Sequence, residues 1–133
     1  MWQPRVILQN GELIPFAEAR VHPLSLAVAY ATTVFEGLRA YYNPGTRRFA
    51  IFRLAEHVRR LQVGMKLMRF ERGYDLEYLR EGLARLIRAN EPDDDVYIRL
   101  LVYIEGVGLM ATTGPGGFSA AAMPREKPKF ADT

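Results

Sequence analysis

Residues 30–61, YATTVFEGLRAYYNPGTRRFAIFRLAEHVRRL, decide the fold: they read as a strand, a tight turn, a second strand and the start of an amphipathic helix. From Val34 to Tyr42 the two-residue period puts Phe35, Gly37, Arg39 and Tyr41 on one face and Val34, Glu36, Leu38, Ala40 and Tyr42 on the other. The first face mixes aromatic rings, a bare backbone and a cation. Asn43-Pro44-Gly45-Thr46 combines a fixed φ with a glycine free to take positive φ, which a chain reversal needs, and Phe49 to Arg53 returns as the partner strand. The hairpin feeds a helix carrying His57 and Arg60.

Upstream of this stretch, Val6-Ile7-Leu8 and Leu13-Ile14-Pro15-Phe16 flank Asn10-Gly11, a strong short signal for a hairpin. Ser25 is placed to cap a short apolar helix, Leu26 to Ala29, whose composition predicts burial. Downstream, Ala55, Val58, Leu61, Met65 and Met68 recur every three or four residues, so residues 54–68 form a helix with one buried stripe. His57, Arg60 and Gly64 share a neighbouring face, where the glycine lets another segment or a ligand come close.

Asp75 caps a second helix with the stripe Leu76, Leu79, Leu83, Leu86 and Ile87, ended by Asn90 and Pro92. Asp93-Asp94-Asp95 reads as a solvated loop, since three adjacent carboxylates do not converge on one ion. Val96 to Tyr103 is a β-branched and aromatic strand with Tyr97, Arg99, Leu101 and Tyr103 on one face. An arginine in mid-strand is unusual: buried, it requires an anionic partner. The glycine-rich runs 105–108 and 113–117 lack a phosphate-loop spacing and read as loops, and Phe118 to Met123 forms a last short strand.

The 133 residues suffice for one core, so one domain is expected. No run of eighteen apolar residues and no charged-then-apolar leader is present, which predicts neither membrane association nor secretion, and a cytoplasmic protein. With no cysteine there are no disulfides, thiolate nucleophiles or thiolate metal sites. The net charge of +3 arises from an arginine-rich chain whose cations are scattered among carboxylates, a pattern that argues against nucleic acid as partner. His22 and His57 have no metal-site spacing, and Ser25 and Ser119 sit in no nucleophile elbow. The polar residues instead suit anion recognition: arginines 39, 60 and 99, with rings at Tyr30, Phe35 and Tyr97.

Three blocks, LQNGELIPFAEARVHPLSLAVAYATTVFEGLRAY, IFRLAEHVRRL and VYIRLLVYIEGVGL, together resemble the N-terminal small domain of the branched-chain amino acid aminotransferases, which are fold type IV pyridoxal-phosphate enzymes. The resemblance runs from about Ile7 to Gly117. It implies an α+β fold, an antiparallel sheet with two main helices. It also implies a small domain over residues 1–123, a disordered tail over 124–133, and a large catalytic domain that lies outside this sequence. The activity implied is amino-group transfer between leucine, isoleucine or valine and 2-oxoglutarate.

On the same resemblance Arg60, the arginine of H-x-x-R-L, binds the phosphate of pyridoxal 5′-phosphate. Phe35 and Gly37 line the substrate side-chain pocket, Tyr30 reaches into the site of a partner subunit, and Tyr97 and Arg99 hold substrate carboxylates, with Arg39 on the same strand face. Arg60 and Arg99 are expected to address one cleft.

Transamination needs a Schiff-base lysine and an acidic group at the pyridinium nitrogen, and in this family both belong to the larger domain. Lys66, Lys127 and Lys129 match no such lysine, so the isolated chain is expected to be inactive and to bind the cofactor weakly. A lone small domain exposes apolar surface and self-associates as a homodimer or larger, or meets a separate large-domain chain. The alternatives are a non-catalytic anion-binding or oligomerisation protein, or the small domain of a D-amino acid transaminase or aminodeoxychorismate lyase. The chain departs from the family at Ala31, where a glycine is usual, at Leu100, where a proline follows Y-I-R, and beyond Phe118.

Overall fold

The computed structural model describes residues 1–125. All six strands pair antiparallel in the order β2-β1-β6-β5-β3-β4. They are β1 (Val6–Gln9), β2 (Glu12–Pro15), β3 (Thr33–Asn43), β4 (Arg48–Ile51), β5 (Val96–Ile104) and β6 (Gly116–Pro124). Helices α2 (Leu54–Leu67) and α3 (Leu76–Asn90) pack on the same face, α2 over β3 and α3 over β1 and β6, while the single turn α1 (Leu26–Ala29) leads into β3. This is the expected α+β architecture.

The first hairpin forms as its Asn-Gly pair dictates: Gln9 faces Glu12, and Asn10 and Gly11 both have positive φ, 52° and 85°, the type I′ geometry that matches strand twist. In the central hairpin Asn43 Oδ1 accepts from the N–H groups of Gly45 and Thr46 at 2.9 and 3.3 Å. The left-handed residue there is Arg47 (φ 55°), not Gly45, because the side chain of Asn43 closes the turn and shifts the reversal to its far end. Arg53 is also left-handed (φ 54°) and turns the chain into α2, so β4 stops at Ile51, earlier than expected.

Both helical stripes bury. Leu54, Val58, Leu61 and Met65 of α2 meet Leu79, Leu83, Leu86 and Ile87 of α3 over Leu38, Ala40, Val96, Ile98, Leu100 and Val102 of the sheet. Each fully buried aliphatic side chain contributes about 1.5–3 kcal/mol. Met68 falls outside this core, exposed just past the end of α2, and Gly64 sits against Val34, where an added Cβ would lie 3.4 Å from Cγ1, so it serves helix-on-strand packing.

Ser25 and Asp75 cap their helices, accepting from Val28 N and Tyr78 N. Asn90 does more than end α3: its buried amide accepts from Arg5 N and Val6 N (2.7 and 3.1 Å) and donates to Val6 O and Leu86 O, joining β1 to the helix. Pro124, read from sequence as tail, pairs with Val96, and Arg125 bridges Asp95 at 3.3 Å. The rest of the expected tail lies outside the described residues.

Helix α1 is less buried than its composition suggests, since only Leu26 is enclosed. Leu24, Val28 and Tyr30 remain exposed, as do Val107, Leu109 and Met110 in the loop that α1 adjoins through the Ser25–Val107 bridge. This is the exposed apolar surface that the sequence implied.

Candidate functional site

The sheet has one covered face and one open face, and strand parity assigns every candidate residue to one or the other. Leu38 and Ala40 of β3 and Ile98 and Leu100 of β5 point under the helices, so Phe35, Gly37 and Arg39, with Tyr97, Arg99 and Leu101, point the opposite way. Register sets Phe35 opposite Leu101, Gly37 opposite Arg99 and Arg39 opposite Tyr97.

Four of these residues form one cluster. The guanidinium carbon of Arg99 lies 4.7 Å from the ring centre of Phe35 and 5.6 Å from that of Tyr97, and its Nε donates to Tyr97 Oη at 3.0 Å. Two aromatic faces attract the cation and fix its plane. Gly37 makes room for this arrangement: a Cβ there would sit 2.7 Å from Tyr97 Oη and 3.2 Å from the ring. Among the described residues Arg99 forms no ion pair. It needs none within the fold, because its face is open, and four of its five donors remain for an external anion.

Phe35, 57% exposed, is half of this cradle rather than core. Arg39 stands on the same face and is exposed, with no ion pair among the described residues. Tyr30 lies at the end of α1 and makes no ring or hydrogen-bond contact with the cluster.

Arg60 is elsewhere. It extends from α2 to Glu36, which alternates with Phe35 and Gly37 on β3 and therefore faces the helices. Arg60 Nε and Nη2 donate to the two oxygens of Glu36 at 2.6 Å each, and His57 Nδ1 donates to Oε2 at 2.8 Å. The Glu36 side chain is 3% exposed and that of Arg60 is 73% exposed, so a buried carboxylate holds an outward-facing fork. The Arg60 guanidinium keeps the Glu36 carboxyl below the ordinary carboxylate range, with His57 assisting, and Glu36 raises the affinity of Arg60 for its proton.

The structure thus sets Arg60 and Arg99 on opposite faces of the sheet. They approach each other around the β3 edge, since residues 33–39 pair with β5 on one side and, among the described residues, with no strand on the other. Glu36 is the site residue that sequence reasoning did not assign. The available signal was parity: a carboxylate alternating with Leu38 on a covered face must be paired.

For pyridoxal 5′-phosphate, the donor set on α2 fits a phosphate. With two nitrogens engaged by Glu36, Arg60 still offers three N–H groups, and Arg53, His57 and Glu56 line the shallow depression around it. The single lysine among the described residues, Lys66, is exposed on α2. Among the described residues no group of three or more carboxylate or imidazole side chains is arranged to hold a metal ion, and no helix is long and apolar enough to cross a membrane.

This sheet with two helices on one face is shared with known enzymes. The chain belongs to the class IV aminotransferases: the family model described as Amino-transferase class IV matches residues 33–130. Within that family it is similar to the N-terminal domain of branched-chain amino acid aminotransferases. The enzyme of that name from Escherichia coli strain K12 is 36% identical over 110 residues, which cover 83% of this chain and 34% of the relative.

Among solved structures, the branched-chain aminotransferase of the archaeon Thermoproteus uzoniensis with norvaline superposes with a TM-score of 0.82 at 31% identity, covering 92% of this chain and 41% of that one. That of Thermobaculum terrenum in its pyridoxal-phosphate form gives 0.81 at 32% identity, covering 96% and 42%. The chain therefore spans about a third of the length of the curated relatives it matches.

Proposed function

We propose that this chain is the small-domain part of a pyridoxal-phosphate-dependent branched-chain amino acid aminotransferase. The observation that carries the reading is the Arg99 cradle: a guanidinium fixed between Phe35 and Tyr97 on an open sheet face, with no ion pair among the described residues. Its free donors suit a carboxylate, either that of an amino acid or the distal one of glutamate. Phe35, Gly37 and Leu101 beside it suit an aliphatic side chain. A wall with both features accepts the two kinds of substrate that a leucine-to-2-oxoglutarate exchange requires.

Arg60 would hold the phosphate of the cofactor, which supplies an electron sink to the bound amino acid. A cofactor lying along the unpaired edge of β3 reaches Arg60 from one face, while the substrate meets Phe35 and Arg99 on the other. Arg39 is a second cation on the substrate side, and Tyr30, projecting from the exposed apolar surface near Val107 and Leu109, belongs to contact with a second subunit. That surface supports a homodimer or larger assembly, and also docking to a large-domain segment. The protein would work in the cytoplasm, where amino acids, 2-oxo acids and the cofactor are at hand.

The 133-residue polypeptide alone is proposed not to transaminate, because the single lysine among the described residues, Lys66, is an exposed residue of α2 that matches no Schiff-base lysine of the family. Incubation with pyridoxal phosphate, borohydride reduction and intact mass measurement test this. The expected result is no stoichiometric adduct on a single lysine and no leucine turnover; either one would refute it. Phosphate should still bind weakly and competitively with pyridoxal phosphate, whereas tight binding of a different anion would favour a repurposed binding protein.

A further inference from the structure

We infer that Glu36 is a positioning residue for the anion-binding fork of Arg60: it fixes the ring tautomer of His57 and the guanidinium plane, so that the fork presents its free donors outward in a set orientation. The inference rests on the reading of Arg60 as a phosphate ligand. Its basis is an asymmetry of burial within one ion pair. The acid is 3% exposed and rooted in a strand, while the base is 73% exposed on a helix.

A solvent-facing arginine ordinarily samples many rotamers, and ordering it on binding costs affinity. Here two parallel hydrogen bonds at 2.6 Å, from Nε and Nη2 to the two carboxylate oxygens, define the plane before any ligand arrives. The remaining edge of the guanidinium, both N–H groups of Nη1 and one of Nη2, then points away from Glu36. Because a carboxylate only accepts, the contact of His57 Nδ1 at 2.8 Å requires the proton on Nδ1 and fixes the ring against Glu36.

Charge alone gives the opposite expectation. An acid beside an arginine lowers the local positive potential, so on Coulomb grounds removing it should strengthen anion binding. Positioning says that removing it weakens binding. The sign of the effect separates the two.

The test compares the wild-type chain with Glu36→Gln, Arg60→Lys and Arg60→Ala, using inorganic phosphate and pyridoxal 5′-phosphate as probes in calorimetric titrations. The Arg60 Nε–H proton is followed by nitrogen-resolved NMR in the same samples. Expected are a loss of about tenfold in phosphate affinity in Glu36→Gln, the equivalent of about one charged hydrogen bond, and rapid solvent exchange of an Nε–H that is protected in the wild type. Arg60→Lys keeps the charge but not the fork and should lose as much; it serves as the second variant if Glu36→Gln does not fold. Phosphate binding that is unchanged or tighter in Glu36→Gln, or full affinity in Arg60→Lys, overturns the inference. Equal phosphate binding by wild type and Arg60→Ala instead overturns the reading of Arg60 as the phosphate ligand, and the exchange rate of Nε–H still reports whether Glu36 orders the side chain.

Discussion

The two faces of this sheet are made by the same strands, yet they follow different rules. Along β3, Glu36, Leu38 and Ala40 are enclosed by helices, whereas Phe35, Arg39 and Tyr41 between them are exposed. On the covered face aliphatic side chains fill the space and the buried carboxylate of Glu36 accepts hydrogen bonds from Arg60 and His57. On the open face a guanidinium is stacked and oriented, with no ion pair among the described residues. The difference teaches that an oriented but unsatisfied polar group on a rigid strand marks where the molecule addresses something outside its own fold.

Substitutions on the two faces should therefore separate stability from binding. The largest effect is expected from Leu83→Ala, which empties a fully buried position and should cost about 2–5 kcal/mol in urea denaturation, while Phe35→Ala on the open face should stay within about 0.5 kcal/mol yet reduce glutamate binding. Comparable stability losses from both would break the comparison.

Next, Asn90→Ala removes the acceptor for Arg5 N and Val6 N and should cost about 1–3 kcal/mol, with faster amide exchange concentrated in β1. Gly37→Ala drives a Cβ against Tyr97 and should release Arg99, lowering glutamate affinity about tenfold in a calorimetric titration.

Acid titration sharpens the contrast from the covered side. Arg60 lowers the folded-state pKa of Glu36 below its ordinary value of 4.5, so the pair stabilises the fold fully above that value. That contribution disappears as pH falls through the lowered value. Urea midpoints of wild type and Glu36→Gln should consequently converge as pH drops below 4.5, and a gap that widens on acidification would contradict the assigned ion pair.

The smallest effect concerns the link between α1 and β3. Ala31 has φ 54°, a conformation that costs a residue with a Cβ about 1–2 kcal/mol and glycine much less. After glycine's greater chain entropy, about 0.5–1 kcal/mol, Ala31→Gly should raise stability by up to about 1.5 kcal/mol, read as a small rise in melting temperature.

Much of this fold was legible in the residues. The Asn10-Gly11 turn, both helical stripes and the caps at Ser25 and Asp75 depend on neighbours within a few positions, where periodicity and local hydrogen bonding decide the outcome. So did the parity that gathered Phe35, Gly37, Tyr97 and Arg99, once β3 and β5 were recognised as strands. What stayed hidden depends on distant partners. The placement of β6 between β1 and β5 follows from no local signal, nor does the use of Asn90 as a clamp on a strand 84 residues away.

The separation of Arg60 from Arg99 was likewise invisible while each was read on its own element. It follows from Glu36, which holds Arg60 on the covered face. The turn at Arg47 and the modest burial of α1 differ from expectation for a related reason: a side-chain hydrogen bond from Asn43 overrode the glycine, and the neighbouring loop covered only Leu26.

The proposed function requires the open face to receive an amino-acid carboxylate. The most direct measurement is a glutamate titration of the chain followed by two-dimensional NMR of its backbone amides and arginine side chains. Saturable shifts, in the millimolar range for an isolated wall, should centre on Arg99 Nε–H and on the amides of Phe35, Gly37 and Tyr97, leaving α3 unmoved. Shifts confined to the helical face, or none at Arg99, would contradict it.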